Sequence, residues 1–151
     1  MPHLQIDVPS QYPLEVKRDL AKRLGDLYAE IMQTSSDLVH VTFRELHEGG
    51  LWRCGTDGPV PSAVITCDIR RGRPPEQRMR LAEALFDASV KALDLDPLTL
   101  TVEFTQHSGD EVYGKMLIDG VLTGGFGEDW SPDEENKPLL EKLREARQGI
   151  K

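Results

Sequence analysis

The sequence predicts an α/β (α+β) fold: a four-stranded mixed sheet with two helices on one face, built as a tandem βαβ repeat. Three observations predict it. Short runs of alternating apolar and polar residues mark strands. Two amphipathic stretches near twenty residues mark helices. The order strand, helix, strand then returns at a constant offset of 61 residues, the signature of an internal duplication.

The elements follow in order. In "PHLQIDVP", Leu4, Ile6 and Val8 alternate with His3, Gln5 and Asp7, which reads as a strand. "PLEVKRDLAKRLGDLYAEIMQ" reads as a helix, with Pro13 suited to its first turn and an apolar stripe of Val16, Leu20, Leu24, Leu27 or Tyr28, and Ile31. "LVHVTFREL" is a second strand, with Val39, Val41 and Phe43 on one face and His40, Thr42 and Arg44 on the other. "HEGG" closes the unit. The second unit reads "AVITCDI" as strand, "PPEQRMRLAEALFDASVKAL" as helix and "LTLTVEF" as strand. Pro13 falls on Pro74, "LAKRLGD" on "LAEALFD" with four of seven residues identical, and "VTF" on "VEF". The expected organisation is a domain over residues 1–130, with repeats at 2–60 and 61–115, and a helical tail over 131–151.

A helical crossover makes the two strands of each unit parallel, in a right-handed connection. The sheet face away from the helices would carry His40, Thr42, Arg44, Thr99, Thr101 and Glu103. No predicted helix covers it, so an oligomer is expected.

Composition narrows the function classes. The chain has 151 residues, a formal net charge of −8, 38% hydrophobic and 29% charged residues, which suits one soluble domain. The acidic balance argues against a nucleic-acid partner, whose phosphates select basic surfaces. No run approaches a membrane span, and no signal-peptide pattern precedes the first strand, so a cytoplasmic location is expected. Cys54 and Cys67 show neither a CxxC pattern nor a His pair at metal spacing, and read as buried or free thiols. No metal or cofactor is expected. His3, His40, His47 and His107 read as surface or interface residues.

Two features carry chemistry. Pro2 stands at the start of the first strand; with Met1 removed it would be a secondary amine. Arg70, Arg71 and Arg73 bracket Gly72 where the third strand runs into the second helix, a local site for a carboxylate or phosphate. A pseudo-twofold relation between the units would set the first strand antiparallel to the third and bring Pro2 toward these arginines. Nearby cations and desolvation lower an amine's basicity, leaving it usable as a general base near neutral pH.

"MPHLQID", "RRGRPPEQ" and the βαβ duplication together resemble the tautomerase superfamily over roughly residues 2–130, with a macrophage migration inhibitory factor-like fold. "GRPPEQR" resembles the segment of 4-oxalocrotonate tautomerase that carries a substrate-binding arginine. The fused length is closer to the cis-3-chloroacrylic acid dehalogenase and malonate semialdehyde decarboxylase branches. The resemblance implies that Pro2 is the catalytic amine, and that a homotrimer forms. It implies a small carboxylate substrate held by Arg70 and Arg73, the dehalogenase pair, or by Arg71 and Arg73, the decarboxylase spacing. Tyr28 falls where the dehalogenase branch has a histidine, and Glu103 where it has a tyrosine. Val112, with Glu111 beside it, occupies the place of that branch's water-activating glutamate. Asp37 in "TSSDLVH" matches the decarboxylase aspartate, and "VLTGGF" resembles the end of that branch. Tyr28 otherwise reads as a core aromatic, Asp37 as a turn residue, and Glu103 as a solvated or interface carboxylate.

The implied activity is keto–enol tautomerisation of a small 2-oxo or unsaturated carboxylic acid. Hydration, dehalogenation or decarboxylation of a three-carbon acid is the alternative, and a non-catalytic binding module on the same fold is the other. Beyond the repeat, residues 124–151 read as a glycine loop, an acidic turn and a final helix. Ser131 and Glu134 have capping-box spacing, Pro138 delays the stable helix, and Trp130 is a candidate anchor.

Overall fold

The computed structural model describes residues 2–118, together with Glu145 and Gln148, which are helical and exposed. The expectations for the remainder of the tail, including Trp130 and the capping box, lie outside the described residues.

Two helices pack on one face of a mixed four-stranded sheet of order β2-β1-β5-β6, with a separate two-stranded hairpin, β3-β4. The strands are β1 (His3–Val8), β2 (His40–Glu45), β3 (Trp52–Gly55), β4 (Gly58–Pro61), β5 (Ala63–Arg70) and β6 (Leu100–His107). The helices are α1 (Leu14–Met32), α2 (Pro75–Leu93) and a short α3 (Lys115–Ile118). β1 runs parallel to β2, β5 runs parallel to β6, and β1 meets β5 antiparallel. No described helix is long and apolar enough to cross a membrane.

The duplication extends to single residues. Both long helices have 19 residues and start 61 positions apart. Each follows a proline, Pro13 or Pro74, whose missing N–H is no loss in a first turn. Each ends on a left-handed residue, Gln33 at φ 53° and Asp94 at φ 49°, whose N–H bonds back to the carbonyl of Ala29 or Val90. At the junction, Ile6 pairs with Ile65 and Leu4 with Cys67. A shift of 61 exchanges the members of these pairs, so the two units meet about a local twofold between β1 and β5.

One face of the sheet is core. Leu4, Ile6 and Val8 of β1 and Ala63, Ile65, Cys67 and Ile69 of β5 pack with Leu20, Leu24, Tyr28 and Met32 of α1 and Leu81, Leu85 and Leu93 of α2. These are the alternating and helical stripes of the sequence, and each fully buried aliphatic side chain contributes about 1.5–3 kcal/mol. The opposite face is polar: Arg44 Nε donates to Asp7 Oδ1 at 2.5 Å, Thr66 Oγ1 to Glu103 Oε1 at 3.0 Å, and His3 Nε2 lies 2.7 Å from Thr42 Oγ1.

Two features differ from expectation. The last strand starts at Leu100 and runs to His107, because β5 continues to Arg70 and offers partners that far. The residues before it form a turn in which Leu98 N donates to Asp96 Oδ1 at 2.9 Å, leaving Leu98 exposed. The β3–β4 hairpin was not expected, since Pro59 and Pro61 argue against a strand. Here the prolines sit in an exposed two-stranded ribbon, where lost ladder donors cost little.

Candidate active site

The β1–β5 register decides where Pro2 lies. His3 pairs with Asp68, so continuing the ladder sets Pro2 opposite Ile69 and next to Arg70, the last residue of β5. Pro2 is buried, and its carbonyl accepts from His40 N at 3.1 Å, which binds it to β2 as well. The expected approach of Pro2 to the arginine turn is therefore built into the sheet.

The three arginines take different places around that turn. Alternation along β5 puts Arg70 on the polar face. Gly72, at φ 106°, turns the chain with a backbone that a side chain would strain. Arg73 then dives to the helix side, only 6% exposed, where Nη2 donates to Met32 O at 3.4 Å. Gln77 Nε2 donates to Ile31 O at 2.8 Å beside it. These donors from the second unit satisfy orphan carbonyls at the end of α1, and the cation suits that end of the helix. Burial lowers the Arg73 pKa to about 10, Arg70 adds to the fall, and Tyr28 opposes it. Arg71 is half exposed; its N–H donates to His107 O at 2.8 Å, and its Nη2 lies 4.0 Å from Glu111 Oε2.

The other candidates divide. Tyr28 is 1% exposed beside Arg73, and burial pushes its hydroxyl far above the usual tyrosine range; it is a core aromatic whose ring walls the Arg73 side of the site. Glu111 lies at the arginine end, where its Oε2 also accepts from Ser108 N at 2.6 Å. Asp37 is exposed in the 3-10 turn Ser36–Leu38, capped by Ser35 Oγ, just before His40 meets Pro2. Glu103 is not brought to Pro2 within one chain. It pairs with Thr66, three positions from the Pro2 level and two strands away, on the opposite face.

A pair unforeseen in the sequence lies at the same end. His107, expected at the surface or an interface, is 5% exposed within the single chain. Its Nδ1 lies 2.8 Å from Asp68 Oδ2, and Thr105 Oγ1 donates to Asp68 Oδ1 at 2.7 Å. Burial and the charge of the amino terminus lower the His107 pKa, and Asp68 opposes them. Following the alternation of "LTLTVEF" past Phe104, four residues on from Glu103, would have set His107 in line with Arg70. Of the two thiols, Cys67 is buried in the core, its pKa raised to about 12 by burial, and Cys54 is exposed on the hairpin. Among the described residues, no group of three or more His, Cys, Asp or Glu is arranged to hold a metal.

Comparison with known proteins agrees with the fold. Residues 2–56 match the family model described as tautomerase enzyme. A solved member of the cis-3-chloroacrylic acid dehalogenase family, N1, is similar at TM-score 0.72 and 21% identity, covering 98% of this chain and 99% of its own. A native fused 4-OT matches at TM-score 0.60 and 26% identity, over 75% of this chain and 92% of its own. A wild-type fused 4-OT solved as a symmetric trimer matches at TM-score 0.66 and 18% identity, over 83% of this chain and 94% of its own. No curated protein matches the sequence significantly.

Proposed function

The chain has a tautomerase-superfamily fold of the fused type, and from that premise we propose that Pro2, freed by removal of Met1, is the general base and acid of an enzyme acting on a small 2-oxo or unsaturated carboxylic acid. Keto–enol tautomerisation is the reaction. Arg70 and Arg73, with Arg71 at the rim, draw in the substrate carboxylate and stabilise the charge that develops on the enolate oxygen. Pro2 carries the proton between carbon and oxygen. The observation that supports this is the antiparallel β1–β5 register, which, continued one residue ahead of His3, sets Pro2 against the arginine turn. An α-amino group starts near a pKa of about 7.7–8.0, and the adjoining cations and burial favour its neutral form.

A second reading, hydration or dehalogenation of a three-carbon acid, draws on the near-complete coverage of the dehalogenase-family relative. In it, Glu111, placed 4.0 Å from Arg71, takes the water. We also propose a homotrimer, by analogy with the trimeric fused relative; three copies would cover the polar sheet face.

The test uses protein whose intact mass shows Pro2 at the amino terminus. Ketonisation of phenylenolpyruvate and of 2-hydroxymuconate is followed by absorbance, with malonate semialdehyde and 3-haloacrylates in parallel. The expected result is turnover that Pro2→Ala lowers by about 10²–10⁴-fold, the usual contribution of a positioned acid–base group. Turnover that is absent on all these substrates, or indifferent to Pro2→Ala, overturns the reading.

A further inference from the structure

The polar face of the sheet carries two imidazoles side by side. His3 of β1 is in register with His40 of β2 and with Asp68 of β5. Side chains in register on neighbouring strands share a face at the strand spacing of about 4.8 Å. Leu4 and Val41, the next residues along each strand, pack into the core, so the two imidazoles point away from it. His3 Nε2 lies 2.7 Å from Thr42 Oγ1, and His40 is exposed on the edge strand. Among the described residues, neither imidazole is bonded to a carboxylate. Asp68 beside His3 is engaged by Thr105 Oγ1 at 2.7 Å and lies 2.8 Å from His107 Nδ1. Asp7 on the same face is paired with Arg44, and Asp37 is exposed in the turn ahead of His40. Arg70, beyond Asp68 on β5, and the amino group of Pro2 add positive charge. A proton on each imidazole therefore sets two like charges together with no carboxylate of their own.

The two edges of this face carry opposite charge. Arg44 and His40 are exposed on β2, and Glu103 is exposed on β6. A second copy of the chain whose β6 edge meets this β2 edge brings a carboxylate to the basic side, and the same contact repeats head to tail around a ring. We propose that the polar face is the contact between copies and that His3 and His40 make the assembly sensitive to pH. The inference rests on the homotrimer reading and deepens it. Neutral imidazoles can be covered by the next copy, whereas a pair of imidazoliums drives the copies apart. Withdrawal from water disfavours the charged form in the assembly, while in the separate copy His40 takes its proton from solvent. Imidazoles change charge between about pH 8 and 5, so assembly in that range releases up to two protons per copy. By linkage, each pH unit lost weakens association by up to about 100-fold per copy.

The experiment measures the molar mass of the full chain by sedimentation velocity at one concentration, across the range from about pH 8 to about pH 5. Wild type is expected as a trimer at the upper end and as single chains at the lower, with its far-ultraviolet circular dichroism unchanged and the trimer restored when the pH is raised again. The double variant His3→Gln, His40→Gln keeps a neutral partner for Thr42 Oγ1 and should stay trimeric throughout. His40→Gln alone, at an exposed position, should reduce the loss per pH unit from about 100-fold to about 10-fold. His47→Asn, at the other end of the sheet against Gln11, should behave as wild type. A wild type that stays trimeric at the acid end, or a double variant that dissociates as wild type does, overturns the proposal and leaves the homotrimer reading standing. Dissociation that comes with loss of the dichroism is unfolding, and overturns it as well. Single chains at every pH overturn the homotrimer reading and the proposal together. If the double variant does not fold, His40→Gln decides: a pH slope equal to that of wild type overturns the proposal.

Discussion

The two ends of the sheet were once the same end. A shift of 61 carries Pro2 to Ala63, Tyr12 to Arg73, Tyr28 to Ser89 and Met32 to Leu93, and the local geometry survives the substitutions. Arg73 donates to the Met32 carbonyl at 3.4 Å, and Tyr12 Oη donates to the Leu93 carbonyl at 3.1 Å. Each closes the end of the helix from the other unit. Even the polar face keeps the relation: Asp7 accepts from Arg44, and Asp68 accepts from Thr105 at the equivalent place. What differs is the chemistry. At one end stands Pro2, and a cation lies beside a buried tyrosine. At the other, Ala63 is internal and its amide donates to Thr99 O at 3.4 Å. An amide nitrogen has no basicity, so that end can only be structural. The two units keep one scaffold, and the proposed function uses only the unit that carries Pro2.

The sharpest way to break this contrast is at the two equivalent nitrogens. Pro2→Ala should lower turnover by about 10²–10⁴-fold, while Ala63→Pro should create no second activity and only remove a ladder bond. An Ala63→Pro protein that gains turnover in a Pro2→Ala background would refute the contrast. Next come the equivalent core leucines, Leu24 and Leu85, both fully buried. Leu24→Ala and Leu85→Ala should each cost about 2–5 kcal/mol in denaturant unfolding, with similar values if the halves share one core. A difference larger than that range would show that the halves are not equivalent in packing.

A smaller effect separates the two helix-closing side chains. Tyr12→Phe should cost about 0.5–1.5 kcal/mol, the worth of one hydrogen bond, and leave turnover intact. Arg73→Met should change stability little, because losing a buried cation offsets losing its bonds, yet raise KM for a small 2-oxo acid. If Arg73→Met matches Tyr12→Phe in both measurements, Arg73 is only a cap. The smallest effect has the opposite sign. Gly25 lies buried in α1 where the second unit has Phe86, with open space where an added methyl group would stand. Gly25→Ala should raise stability by about 0.5–1 kcal/mol through helix propensity alone, read as an increase in melting temperature.

Much of the fold was legible because it is local. The period of two in Leu4, Ile6 and Val8, the helical stripe through Leu20 and Leu24, and prolines at Pro13 and Pro74 each act within a few residues, and the 61-residue repeat showed them twice. The β3–β4 ribbon was not legible, since Pro59 and Pro61 contradict strand propensity and an exposed hairpin buries nothing to mark it. At the candidate site, Pro2, Arg70, Arg71 and Arg73 could be named because a terminal proline and an arginine turn are conspicuous chemistry. Asp68 and His107 were not named, because the alternation that aligns His107 with Arg70 runs past the expected end of the strand, and a histidine 39 residues from an aspartate meets it only once two strands pair.

The sequence by itself determined the elements, their duplication and the acidic, two-thiol composition, since these follow from side-chain periodicity and charge. Only the tertiary structure decided which residues share an end. Strand register is set by which apolar side chains of β1 and β5 meet in the core, and a slip of one residue would turn Leu4, Ile6 and Val8 outward. That same register sets Pro2 beside Arg70, aligns Arg70 with His107 on the polar face that also carries Glu103, and sends Arg73 under the helices to Tyr28.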